Sequence, residues 1–307
     1  MVARRRRSFS RELNPMLVKE LRGRMRGARA FMMLSVYLAM LGCFTSIVYA
    51  LYFNLTSTPG GWGAVAYAGK VLFSTVVLLE IFLVAFITPA FTAGAISGER
   101  ERKTYEILRT TLLPARRLVL GKLGAALAYV LLLILTAVPL ESLAFMLGGV
   151  VAKELVLALA VLLVTAFAVA AISLFASALV RTTLVATVVA YSVVLLITVG
   201  MPLVLGLVAA LGDPIISGYS SVQMSTTARI VLMYTFFSLL SLNPITASIL
   251  TEVVLTEEQA IWLFRVPVGG RSIWVPSGWI VYTVVYLTVG IVLVALTIRR
   301  VRRQETR

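Results

Sequence analysis

The sequence contains no histidine and a single cysteine, Cys43, among its 307 residues. The first absence excludes histidine-ligated metal sites, histidine general bases and histidine proton relays together. The second excludes an intrachain disulfide. Charge is also scarce, at 13% of residues, and what there is leans basic, with 28 Lys plus Arg against 13 Asp plus Glu. A phosphate-binding loop is missing as well. The nearest match, Gly63 to Val71, has one residue too many and lacks the closing hydroxyl of G-x-x-x-x-G-K-[ST]. The chain therefore has no means of its own to hold ATP in that way.

What fills the sequence instead is apolar residues, 60% of the total. They fall into long stretches separated by short charged blocks. A bilayer core asks for about 20 apolar residues per helical span, and six stretches qualify. They lie at about 31–53, 70–95, 118–148, 155–179, 184–211 and 278–298. The expected fold is an all-α integral membrane protein forming a single domain over 1–307. Residues 212–276 form an outer segment between spans five and six. The short apolar run from Ile230 to Leu242, followed by Asn243-Pro244, is expected to dip into the outer leaflet and return. Stretched to a seventh span, it would put the last basic terminus on the wrong side.

The basic residues decide the orientation. With the N-terminus inside, the cytoplasmic segments hold ten, seven, one and five of them, 23 of the 28. Only Lys70, Lys153, Arg229, Arg265 and Arg271 fall outside. This is the positive-inside asymmetry, and it places both termini in the cytoplasm. The net charge of +15 thus reads as topology and contact with lipid headgroups rather than as a nucleic-acid surface. Trp62, Trp274 and Trp279 fall near outer span boundaries, as an aromatic belt requires. Arg6-Arg7 resembles a twin-arginine export signal, but the apolar stretch begins some twenty residues later and is too long for one.

Within the cytoplasmic residues 1–29, Asn14-Pro15 has the form of a helix start. Leu17, Val18, Leu21 and Met25 then line one side, and Lys19, Arg22, Arg24 and Arg26 the other. This is an amphipathic helix suited to the inner membrane surface. Residues 96–117 are the second cytoplasmic segment. Tyr105, Leu108 and Leu112 share a face at helical spacing, Glu99 with Lys103 and Glu106 with Arg109 are spaced to pair, and Pro114 ends the helix. Inside the spans, Glu80 is costly and so a candidate for function, lining a pathway or holding a structural contact. Glu141 reads as interfacial. Gly94-x-x-x-Gly98 permits close helix packing, though the motif is common by chance.

The segment Glu99-Arg100-Glu101, Thr104, Glu106, Leu108, Leu112-Leu113, Pro114, Arg116 and Gly121-Lys122 resembles the first cytoplasmic loop of the permease subunits of ATP-binding-cassette (ABC) transporters of the type-two exporter class. The helix opened by Asn14-Pro15 is similar to the amphipathic elbow of those permeases. Lys103 stands where many relatives have Gly. The resemblance implies a coupling helix docked on a separate ABC ATPase subunit. Glu99, Arg100, Glu101, Arg102, Lys103, Thr104, Glu106 and Arg109 would make its polar contacts, and Tyr105 and Leu108 its apolar ones. It implies two ATPase copies carrying ATP and Mg, and a second permease chain, identical or different. No cofactor, metal or catalytic residue is expected in this chain, and no nucleic acid partner. A secondary transporter and a non-transporting anchor or sensor subunit are the alternatives. The first predicts internal repeats and several mid-membrane ionisable residues, whereas the sequence shows no repeat.

The topology is testable by labelling. In a Cys43→Ser background, a membrane-impermeant maleimide added to intact cells should label cysteines placed at Thr58 or Ser217. Cysteines at Ile107 or Glu305 should react only after permeabilisation. The opposite pattern would invert the orientation.

Overall fold

The computed structural model of the chain describes residues 15–25, 28–55, 62–103, 114–207, 210, 225–268 and 271–305. Six helices are long and apolar enough to cross a membrane. Helix α1, Pro15–Met25, is followed by α2, Ala28–Leu55, which carries span one. Helix α3, Trp62–Thr92, and the short α4, Ser97–Glu101, together make span two. Spans three and four are α5, Ala115–Leu147, and α6, Ala152–Leu179. Span five is α7, Thr183–Leu195, continued through a π-helical turn at Leu196–Gly200 to Leu207. The hairpin of α8, Thr226–Ser241, and α9, Pro244–Glu257, comes next, bent by 117° between its helices. Helix α10, Gly278–Glu305, is span six.

The spans share their interior unequally. Span two packs on spans three and four, and span six packs on span four. In spans three and four 61% of the apolar window is buried, against 11% in span one and 17% in span five. Spans one and five therefore line the bundle's flanks, and Cys43 is exposed on the first of them. The core is largely Ala, Val and Leu, with small residues where backbones come close, as lipid-embedded helices require.

Breaks in the helices have local causes. Pro89 cannot donate to the helix ladder, and the chain turns at 93–96 just beyond it. Thr88, Thr92 and Ser97 hydroxyls donate to the carbonyls of Val84, Thr88 and Ala93, keeping their own polar atoms satisfied across the bend. Span three ends where Gly148 and Gly149 take φ of 88° and 82°, the left-handed region only glycine enters freely, and the chain reverses into span four. Asn243 breaks the α8–α9 hairpin. Its Oδ1 accepts from the N–H groups of Ile245 and Thr246 at 2.8 and 3.1 Å, and Pro244 follows in the first turn.

One element was not expected. Strands β1, Leu263–Val268, and β2, Arg271–Pro276, form an antiparallel hairpin with Leu263 opposite Pro276 and Val268 opposite Arg271. Apart from it, the regular elements among the described residues are helical. Phe264 packs on Phe237 of α8, and the Arg265 guanidinium sits 4.2 Å from the centre of the Trp274 ring.

Helix contacts at glycine give a direct test. A Cβ at Gly69 would lie 2.2 Å from the Gly148 carbonyl oxygen, whereas one at Gly42 would meet nothing within 4 Å. Gly69→Ala should lower stability by about 1–3 kcal/mol, the usual range for overpacking. Gly42→Ala should leave the thermal unfolding midpoint in detergent unchanged.

Candidate functional site

The charged residues at the end of span two cluster with three other parts of the chain. Glu99 pairs with Lys122 of span three at 2.6 Å, and Lys122 reaches Glu20 of α1 at 3.4 Å. Lys122 is 3% exposed, so a charge that would be costly alone is held between two carboxylates. Leu17 of α1 approaches Gly124, two residues further along span three. Helix α1 is thereby seated on span three by an ion pair and by packing, with Met16 buried beside it.

Arg100 and Glu101 face the turn between spans four and five. The Arg100 guanidinium donates to the carbonyls of Ala178 and Val180 at 3.3 and 3.0 Å. The Glu101 carboxylate accepts from the Thr183 N–H at 2.9 Å and from its hydroxyl at 2.7 Å. The Ser177 hydroxyl accepts from the N–H groups of Ile96 and Ser97, both at 3.0 Å. Opposite charges thus meet the two helix ends, a cation at the carbonyl end of span four and an anion at the amide end of span five.

The structure divides the residues of the expected docking helix. Glu99, Arg100 and Glu101 contact their own chain rather than standing free for a partner. Helix α4 ends at Glu101, with Arg102 and Lys103 exposed beyond it. Thr104, Tyr105, Glu106, Leu108 and Arg109 lie outside the described residues. Lys103 has φ of 55°, which explains in physical terms why glycine suits this position in the resembling loops. Of the elbow residues, Leu17, Val18 and Leu21 are partly buried; the helix also includes Met25.

The second cluster lies inside the spans. Glu80 is 0% exposed, and Tyr37 of span one donates to its Oε1 at 3.2 Å. Glu141 is 1% exposed and lies near Glu80 and Tyr37, and among the described residues neither of its carboxyl oxygens has a hydrogen-bond partner. Glu141 is therefore not interfacial as its position near the end of span three suggested. The helix turns it into the bundle interior. Among the described residues no basic side chain pairs with either carboxyl. At the end of the bundle opposite Lys122, Lys70 pairs with Glu154 at 3.8 Å and donates to Thr256, and Ser74 donates to Glu252 at 2.5 Å. These bonds tie span two to span four and the outer hairpin. No group of three or more metal-ligating side chains occurs among the described residues.

Six long apolar helices around a packed interior define a multi-pass α-helical membrane protein. The family model described as ABC-2 family transporter protein matches residues 16–298, and the chain belongs to that family. It is a membrane component of an ABC transporter, a permease whose family works with an ABC ATPase. No curated protein matches the chain.

The Lys122 contacts predict a stability effect. Lys122→Met removes the buried cation that the two carboxylates share and should cost about 3 kcal/mol, as removal of one partner from a buried pair does. The triple variant Lys122→Met/Glu20→Gln/Glu99→Gln should regain part of that loss in a thermal unfolding assay. A triple variant no more stable than Lys122→Met would show that the carboxylates carry no such penalty.

Proposed function

We propose that this chain is the permease of an exporter in the cell membrane, driven by ATP hydrolysis on separate subunits. Both termini face the cytoplasm, and the chain acts as one domain. Two copies of an ABC ATPase, which hold the ATP and Mg, engage two permease chains, identical or different. The chain itself performs no catalysis. Helix α1 serves as the elbow on the inner membrane surface, and the hairpin α8–α9 as the outer re-entrant element.

One observation carries this reading. The four basic segments of the sequence gather at one end of the bundle. Lys122 links α1 to the end of span two, Arg100 reaches the turn after span four, and Arg300 of the C-terminal helix donates to Ala178 and Leu179 at 3.2 and 3.5 Å. A single basic face of this kind is the side that positive-inside sorting keeps in the cytoplasm, and the loop proposed for docking leaves from its centre. Docking then falls to Arg102 and Lys103 and to Thr104, Tyr105, Glu106, Leu108 and Arg109. Glu99, Arg100 and Glu101 pass the movement on to the spans.

Glu80 has a place in this mechanism. It joins the substrate path only in a state where span one has separated from spans two and three. In the state described here it is bonded to Tyr37 and so holds span one to span two. The apolar flanks of spans one and five suit an apolar or amphipathic cargo.

Co-expression with an ATP-binding subunit, purification in nanodiscs and measurement of ATP hydrolysis test the reading. The intact chain should co-purify with the ATPase, and Glu106→Lys with Lys103→Glu should release it or abolish stimulated hydrolysis. Failure of any ATPase subunit to co-purify with the intact chain would remove the engine and with it the proposal.

A further inference from the structure

Span five is gripped near its inner end and again in its other half by side chains from elsewhere in the chain. At its inner end the helix begins at Thr183, preceded by Thr182, whose own side chain makes no capping bond. The cap comes instead from Glu101, 82 residues earlier, which takes both the N–H and the hydroxyl of Thr183. Gly98 allows this approach, since a Cβ there would already stand 3.3 Å from the Thr183 methyl. The turn itself is fixed from both sides, by Arg100 and by Arg300, on the last carbonyls of span four.

Further along, the regular ladder of span five gives way to the π-helical turn at Leu196–Gly200. Such a turn leaves carbonyl groups in need of donors and often marks a functional site. Here the side-chain amide of Asn243 supplies them, donating to the carbonyls of Ile197 and Thr198 at 2.5 and 3.0 Å. Asn243 is 1% exposed, and its other atom, Oδ1, caps α9. One buried amide therefore ties the irregular turn of span five to the elbow of the outer hairpin. Between these two attachments span five is thinly packed, with 17% of its window buried. One further side-chain bond crosses there, the Tyr191 hydroxyl donating to the Phe86 carbonyl at 3.0 Å, and its partner is span two, the same span that carries Glu101.

We propose that span five is a connecting rod, gripped at its inner end by Glu101 and at its outer half by Asn243, that carries displacement of the cytoplasmic coupling segment to the hairpin α8–α9. Glu101 and Asn243 are positioning residues in this scheme. The first makes span five follow α4, and the second makes the α8–α9 elbow follow span five. The proposal rests on the reading that an ATPase moves the segment after Glu101.

The test uses the complete permease–ATPase complex in nanodiscs, with Cys43→Ser and spin labels at Val253 of α9 and Met146 of span three, both well exposed. The distance between them is read without nucleotide and with ATP and vanadate. Asn243→Asp keeps the acceptor that caps α9 but cannot donate to Ile197 and Thr198. The expected result is that the intact chain shows a nucleotide-dependent distance change and that Asn243→Asp loses it while ATP hydrolysis continues. Glu101→Ala should lose the same change, and the double variant should lose no more than either single one, because the two grips act in series. Should the aspartate impair folding, Asn243→Ser retains a cap and is too short to reach span five, and the same loss is expected. A full distance change in a folded Asn243 variant would overturn the connecting rod alone. So would partial losses that add in the double variant, which indicate independent routes. A distance unchanged by nucleotide in the intact, ATP-hydrolysing complex would also overturn it. If no ATPase binds the intact chain, the underlying reading falls and the proposal falls with it.

Discussion

In hydrocarbon, every backbone N–H and C=O must find its partner within the protein. Most of this structure follows from that constraint. It makes the spans helical, and it makes each helix end and each break a place where a side chain has to supply what the ladder cannot. Ser177, Arg100, Arg300, Glu101 and Asn243 each do this. None of them serves only its own helix. By completing the hydrogen bonds of a neighbouring element, each also fastens that element, so satisfaction of the backbone and connection between spans are the same set of bonds.

Much of the fold was legible in the sequence, because the signals involved are local. Apolar length set the six spans, and the observed helices run within a few residues of the expected ones. Asn243-Pro244 marks a break in the helical run that the structure places between α8 and α9. The β-hairpin was missed although its signs were there. Phe264, Val266, Ile273 and Val275 alternate with polar or exposed residues on either side of Gly269-Gly270, a strand period flanking a two-residue turn. So short a pattern is weak beside the hydropathy of the neighbouring spans. The charged segment after span two was recognised, but the partners of Glu99, Arg100 and Glu101 were not. Those partners lie 23 to 82 residues away in sequence, and spacing along one helix carries no information about them.

The same limit explains Glu141. Along the sequence it stands near a span end, where a carboxylate has access to headgroups and water. Only the rotation of α5 against α3 shows that it points at Glu80. The pair with Tyr37 joins the sparsely packed span one to the dense centre formed by spans two and three. Leu41 packs beside it against Leu83, Leu133 and Ala137, yet only 11% of the apolar window of span one is buried. Span one is therefore the element most readily released from the centre by a local change, whereas span four is not.

The long sequence separation of the cytoplasmic contacts also bears on how the chain is made. Arg100 and Glu101 leave the ribosome well before the turn at 178–183 that they hold, and Arg300 follows that turn by about 120 residues. The second and third spans must insert with their charged junction still hydrated and without its final partners. That end of the bundle is then completed only after span six has been made, when Arg300 docks. A truncation just before Arg299 would spare every span and still leave that junction unfinished.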